Sequence, residues 1–559
     1  MLFVKRIPIL SCIFFFVAAS AFEGKAQNTV GLLSIKQNQV FEGYNLIYPY
    51  AQSTVFLVDL CGEVVHQWLD FTGGRPAASA YLLPNGYLVR CSRDRDFSTD
   101  TIVAGGFGEY VDILTWENKK LYSFAINNSR FRLHHDVAPM PNGNILMLAW
   151  ERVGADEIIP LGRDPNTLPN NELWPDKILE WDPVKDSIVW EWRSLDHFVQ
   201  DRDSILPNFG VVSEHPEKID INYDIQHGNP DWMHSNYIDY NPVLDQIMIS
   251  VRNFNEFWII DHSTTSEQAS NGSGGRSGKG GDILYRWGNP AAYQQGDESK
   301  HYLHLQHDAH WCDPYALPGS PQFGEIAVFD NFTEANKSTA LLIKINFDSV
   351  NWTYPRLGRV YGPDSPIRVV SHPNENILSF SNILSSVQKL PNGNVLVFAG
   401  RWGYAYEVDE NDELVWEYRI PFRDGKVVSQ GDVLSFGDNE TFNMVRYNTD
   451  YSAFANRDLF PIGYLELNPD MSFCYQTSST YLKYVLPSLI IWPNPAKNYL
   501  YIKSVANEIE FYSILNVNGQ IVRKFESSGN AVDISDLPNG MYLLQASNGK
   551  MSRFMILRY

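Results

Sequence analysis

Cysteine is scarce in this chain, at five of 559 residues, and basic residues are outnumbered, with 44 Lys and Arg against 65 Asp and Glu. So few cysteines, none in a Cys-x-x-Cys pair, describe neither a disulfide scaffold nor a zinc knuckle. The net charge of −21 argues against nucleic acid or an anionic membrane surface as partner. Solubility alone accounts for that charge. Long apolar runs are missing too, apart from Ile7–Ala21, which follows Lys5 and Arg6 and leads to small-residue cleavage positions at Ala19-Ser20-Ala21 or Ala26. Residues 1–26 therefore read as a secretory signal. The run is short and interrupted by Pro8, so a membrane span is not expected in the mature chain. Cys12 leaves with the signal. Cys61 and Cys91 lie in neighbouring strand-like segments, and they either pair in an oxidising compartment or remain buried thiols.

Helical periodicity is almost absent, while 44 % apolar and 14 % aromatic residues suffice for a large core. At this length two or more domains, or a repeat array, are expected. Two strand patterns recur. One is strand, Pro-Asn-Gly turn, strand, in YLLPNGYLVRC (81–91), APMPNGNILML (138–148) and QKLPNGNVLVFAG (388–400). Asn-Gly between apolar strands is a strong hairpin signal, with both turn residues at positive φ in the tightest form. The other pattern is an apolar strand, a polar turn and a strand carrying tryptophan. It has six copies, at 55–68, 110–124, 178–192, 257–290, 341–355 and 405–421.

Four-strand units with tryptophan near their ends predict an all-β six-bladed β-propeller over 27–480. The N-terminal strands would close its ring against the last segment before about Tyr475. Seven blades or a pair of sandwiches stay open. The glycine-rich insertion 266–282 reads as a flexible loop. It lacks the strand–loop–helix setting and the Gly-Lys-Ser/Thr ending of a phosphate-binding loop.

Residues 488–559 lack the repeat and form short strands, predicting a small C-terminal β-sandwich. The Pro493-Asn494-Pro495 opening, the Asn518-Gly519-Gln520 hairpin, the run Leu537-Pro538-Asn539-Gly540-Met541-Tyr542 and a basic, strand-like end resemble the C-terminal sorting domain of the type IX secretion system. That resemblance implies the type IX machinery as a partner, export across both membranes, and a secreted or cell-surface location. An ordinary carbohydrate-binding or immunoglobulin-like appendage is the competing reading.

Three histidine segments lead strands of the repeat: His134-His135-Asp136, Asp231-Trp232-Met233-His234-Ser235-Asn236 and Gln306-His307-Asp308-Ala309-His310-Trp311. If each begins the first strand of a blade, His135, His234 and His307 sit at comparable heights on the central channel. Ala78 and Ser385 occupy the matching positions elsewhere, so the histidines are not generic to the repeat. Side chains alternate along a strand. His310 should therefore point away if His307 faces the channel, and His134 should oppose His135. A single histidine is commonly a hydrogen-bonded structural residue, whereas three at equivalent positions suit chemistry. Arg252, ending a strand that otherwise reads IMISV, adds a fork that fits tetrahedral oxyanions.

Asp231-Trp232-Met233-His234-Ser235-Asn236, Arg252 after it, and Gln306-His307-Asp308-Ala309 with Trp311, followed by Val328-Phe329-Asp330-Asn331, resemble the bacterial aryl-sulfate sulfotransferases. Those are propeller enzymes that move a sulfuryl group between phenols without a nucleotide donor. The similarity covers roughly 40 to 450 and is clearest in the motif regions. It implies that His307 attacks sulfur and that His135, His234 and Arg252 hold the sulfuryl and phenolic oxygens. His134 is the alternative to His135, since the motif does not decide between adjacent histidines. Asn236, His310 and Asn331 join His134 as expected substrate-binding residues. No cofactor or metal is implied. The large N-terminal β-domain of some members does not fit before residue 55, and the cysteine pair of others is not evident, since Cys312 has no close partner in sequence.

The expected reaction is a ping-pong exchange through a sulfohistidine, from an aryl sulfate donor to a phenolic acceptor. Two other classes fit the same residues. Three histidines can bind a divalent metal and make a propeller hydrolase or lyase. Alternatively the propeller is a non-catalytic surface binding protein or adhesin.

Overall fold

The computed structural model describes residues 28–70, 74–223, 228–374, 376–470, 474, 490–503, 510–516, 520–527, 531–546 and 551–558. The expected signal segment lies outside them. The chain is all-β. Up to Asn448 its main strands form six antiparallel sheets, five of four strands and one of five. Each sheet has one leading edge strand. These are β1 (Arg75–Leu82), β2 (Phe131–Pro139), β3 (Ser235–Asn241), β4 (His307–Trp311), β5 (Ser386–Lys389) and β6 (Thr441–Asn448). Each of the six touches the next, and β6 touches β1.

Two sheets join distant parts of the chain. Gly43–Pro49 pairs with β6, and Gly31–Ile35 pairs with Leu414–Arg419 as a fifth strand. Between the sheets lie fully buried tryptophans, among them Trp68, Trp192, Trp258 and Trp416. Truncating any one to alanine costs about 3–5 kcal/mol.

Polar side chains, buried or partly buried, link neighbouring leading strands. Asp136 on β2 accepts from the Ile238 amide on β3 (3.2 Å), Asp239 from Trp311 on β4 (2.9 Å), and Asp308 from Val387 on β5 (2.6 Å). Gln388 on β5 accepts from the Arg446 amide on β6 (2.9 Å), and the Tyr447 hydroxyl on β6 accepts from the Leu82 amide on β1 (2.9 Å). Tyr81 on β1 completes the circuit by donating to Asp136 (2.8 Å).

Four local expectations are corrected. In the Pro-Asn-Gly turns only the glycine is left-handed, as at Gly86 (φ 87°), Gly143 (φ 91°) and Gly393 (φ 90°). Proline fixes the first turn residue near its own φ, so a type I turn ending in a left-handed glycine forms in place of the tighter two-residue turn. In the sheet led by β4 the outer strand is Arg368–Val370. The tryptophan segment expected there is a turn bridged from Asp348 to Thr353.

The glycine-rich insertion is anchored rather than loose. It opens with a helical turn capped by Thr265 and Gln268, and the Gly281 carbonyl accepts from Trp192 Nε1 at 2.8 Å. Finally, Cys61 is bonded to Cys474, with a Cα separation of 5.6 Å, and Cys91 and Cys312 are free thiols. Cys91 lies buried in the neighbouring sheet, its thiol 3.7 Å from the Ser79 hydroxyl. Cys61 lies in the turn that meets the end of the repeat region.

Residues 490–556 make two further small sheets of three and four strands. Leu500, Ile514, Leu544 and Ile556 form their buried core.

Candidate active site

The three histidine segments sit where the leading strands bulge. β2 loses register opposite Met147 to Ala149, β3 between Ser235 and Tyr237, and β4 between His307 and His310. Bulges re-aim side chains. Here the device is backbone inversion, since His135 (φ 51°) and His234 (φ 52°) are both left-handed. That conformation is uncommon for a non-glycine residue and concentrates at functional sites. On β4 the left-handed residue is Asp308 (φ 61°), so His307 precedes the inversion instead of occupying it.

The inversions bring the imidazoles together. The rings of His135 and His234 are 4.5 Å apart, nearly perpendicular. Burial holds His135 well below the usual imidazole range, and repulsion from His234, His134, His307 and Arg252 adds to it. Burial also holds His307 far down, helped by Arg252 and opposed by a hydrogen bond to Asn331. Both rings are neutral at neutral pH. Arg252 is lowered by burial to about 10 and partly restored by Asp231. It stays a cation in a largely buried site, where charge acts more strongly than in water.

Hydrogen bonds set the tautomer of His307. Asn331 Nδ2 donates to the carbonyls of Ser381 (2.8 Å) and Leu384 (3.1 Å), so its Oδ1 is an acceptor and receives His307 Nδ1–H at 2.7 Å. The Nε2 lone pair then accepts from the Leu384 amide at 3.1 Å. His134 stands behind His135. Its Nδ1 is 2.9 Å from His135 Nδ1, its ring stacks on Trp150 at 4.2 Å, and its Nε2 is 3.3 Å from Asp176 Oδ1. His234 Nδ1 meets Asp231 Oδ2 at 2.5 Å.

Arg252 lies one residue beyond its strand, at the start of a short 3₁₀ turn, Arg252–Phe254. Arg252 Nη1 donates to Asn253 Oδ1 at 3.0 Å, and Asn253 in turn donates to the Met233 and Asp231 carbonyls. The turn is thereby fastened to the His234 segment. Asn236 is fully buried and donates to the Gln306 carbonyl at 2.7 Å, which steadies the chain entering β4.

His310 keeps different company, with Asp239 and Asp308 as its charged neighbours and Tyr237 at 6.0 Å. It belongs to a second polar cluster that includes Asp136 and Tyr81, in which burial pushes Asp136 up to about 7 and Asp239 to about 6. Among the described residues, no three His, Cys, Asp or Glu side chains are arranged to hold a metal ion.

Three contributors to the site are not among the residues the sequence singles out for chemistry. Asp231 and Asp176 back the histidines. The loop between Leu88–Arg93 and Tyr110–Leu114 covers them: the Gly106 carbonyl accepts from the His135 amide at 2.7 Å. A β-carbon on Gly106 would lie 2.1 Å from His135 Nε2, and one on Gly105 would lie 3.5 Å from His234 Cε1. Only the Gly105-Gly106 pair itself hints at such close approach.

Comparison with known proteins gives a family match over residues 116–432, more than half of the chain, to the model described as Arylsulfotransferase (ASST). Residues 490–556 match the secretion system C-terminal sorting domain, of the type IX system, which points to secretion or the cell surface. No curated protein matches. Among solved structures, a protein of unknown function from Bacteroides caccae is 12 % identical, over 72 % of this chain and 98 % of that one, with a TM-score of 0.37. Virginiamycin B lyase from Staphylococcus aureus is 10 % identical, over 71 % and 90 %, with a TM-score of 0.30. At such scores neither likeness bears on the fold or the activity.

Proposed function

The chain belongs to the arylsulfotransferase family, and from that premise we propose a nucleotide-independent, ping-pong transfer of a sulfuryl group from an aryl sulfate to a phenol through a sulfohistidine on His307. The scaffold is read as a six-bladed propeller over 27–480, supported by six sheets whose leading strands touch in a closed order. A β-sandwich sorting module at 488–559 and a cleaved signal at 1–26 complete the reading.

The observation that carries it is the oriented, neutral His307 beside His135, His234 and the Arg252 cation. Sulfuryl transfer resembles phosphoryl transfer, with a loose transition state in which positioning and charge do most of the catalysis. His307 Nε2 exchanges the Leu384 amide for sulfur, forming the N–S bond as the S–O bond to the aryl group breaks. The phenolate takes a proton from His234 as imidazolium, or keeps its charge against a hydrogen bond from neutral His135, and departs. Arg252 balances the charge on the sulfuryl oxygens. An acceptor phenol then gives its proton to the same imidazole and attacks sulfur, and the N–S electron pair returns to His307.

Incubation with a chromogenic aryl sulfate, with and without an added phenol and without nucleotide, tests the class. Phenol-dependent release of the chromophore is the expected result. A stoichiometric burst should precede acceptor addition, and His307→Ala should abolish it. A burst of normal rate in that variant would refute the nucleophile assignment.

A further inference from the structure

Resting on the sulfuryl-transfer reading, we infer that Asp231 is a positioning residue that makes His234, not His135, the proton carrier of both half-reactions. Each of the three imidazoles has a different set of partners. His307 uses both ring nitrogens, on Asn331 and on the Leu384 amide. His135 spends Nδ1 on His134 and has Gly106 packed against Nε2. His234 pairs Nδ1 with a carboxylate, and its side chain is 15 % exposed where His135 is 4 % exposed.

The carboxylate of Asp231 accepts from His234 Nδ1 at 2.5 Å. A carboxylate only accepts, so the proton sits on Nδ1 and the Nε2 lone pair faces substrate. Asp231 is itself fixed. Its amide donates to Asn229 Oδ1 (3.1 Å), its carbonyl accepts from Asn253 (3.1 Å), and its side chain is 1 % exposed. The other carboxylate oxygen, Oδ1, is buried without a hydrogen-bond partner. A buried, half-satisfied carboxylate is costly to fold. Here that charge steadies the imidazolium formed when His234 Nε2 takes the acceptor's proton, which it later gives to a departing phenolate.

Asp231→Asn tests this. The asparagine amide can present a donor to Nδ1 and so favours the tautomer with hydrogen on Nε2, which cannot take a proton. The second half-reaction is measured on pre-sulfated enzyme with phenols of graded acidity. With weakly acidic phenols the rate should fall about 10²–10⁴-fold, the range general base catalysis supplies. With strongly acidic nitrophenols, which arrive already ionised, it should fall at most about tenfold.

His234→Ala should show the same selective loss, and external imidazole should restore the weak acceptors. The double variant should be no slower than the worse single one. Should Asp231→Asn not fold, as judged by its melting curve, His234→Ala with imidazole carries the test alone. An equal loss across all phenols, or none, overturns the assignment of Asp231. A wild-type enzyme that shows no burst with any aryl sulfate overturns the parent reading instead.

Discussion

Gly106→Ala is predicted to cost activity out of proportion to its size. The residue is left-handed, at φ 76°, and an alanine there costs about 1–2 kcal/mol in backbone strain. Its β-carbon would also lie 2.1 Å from His135 Nε2, where an ordinary contact needs at least 3.4 Å. The His135 ring or the loop must therefore retreat by about 1.3 Å. A misplacement of roughly 1 Å at a reacting centre costs on the order of 10²-fold. The expected phenotype is a folded protein, melting a few degrees lower, whose sulfuryl transfer is slowed about a hundredfold.

Gly105→Ala is the control, since its β-carbon would meet His234 at an unstrained 3.5 Å and its φ is not left-handed. It should stay within a few-fold of wild type. The assay is kcat and KM with a chromogenic aryl sulfate and saturating phenol, beside thermal melts. Once His135 is alanine, adding Gly106→Ala should cost little more in rate. Wild-type kcat in Gly106→Ala, or full additivity with His135→Ala, refutes the reasoning.

Two further outcomes are expected. Because burial holds His307 well below the usual imidazole range, it remains neutral as pH falls, and the burst rate should be flat from pH 8 to about 6. An acid limb centred near 6.5 that persists in the His135 and His234 variants would contradict this. At the other end Arg252, lowered to about 10, loses its charge as pH rises through that value, so KM for the aryl sulfate should climb there. The Cys61–Cys474 bond closes 413 residues, and its removal by Cys474→Ser should lower stability by about 2–4 kcal/mol in denaturant melts. Alkylation of the unfolded, unreduced protein should mark Cys91 and Cys312 and spare Cys61.

The strand content and the histidine convergence could be read from sequence because both are repetitive. Pro-Asn-Gly turns and tryptophan strands recur at the same phase, and three histidine segments depart from the same place in that phase. What escaped notice depends on the chain meeting itself far away. Cys474 pairs with Cys61 across the whole repeat region, and no local spacing announces that. Asp231 opens the Asp231–Asn236 motif, yet its partnership with His234 needs the inversion at His234 to bring the two side chains together. The order within His134-His135 was undecidable for the same reason. The structure separates them by what each touches, His135 meeting His234 and His134 stacking on Trp150. His310 is three residues from His307, but the bulge at Asp308 directs it to another cluster.

The carboxylates that reach from one leading strand to the amide of the next have a mechanical consequence. Asp136 and Asp239 couple β2, β3 and β4, which carry or directly follow His135, His234 and His307, and Asp308 extends the chain of bonds to β5. Moving one of these strands strains the amide–carboxylate bond to the next, so the histidine segments are displaced together and not singly.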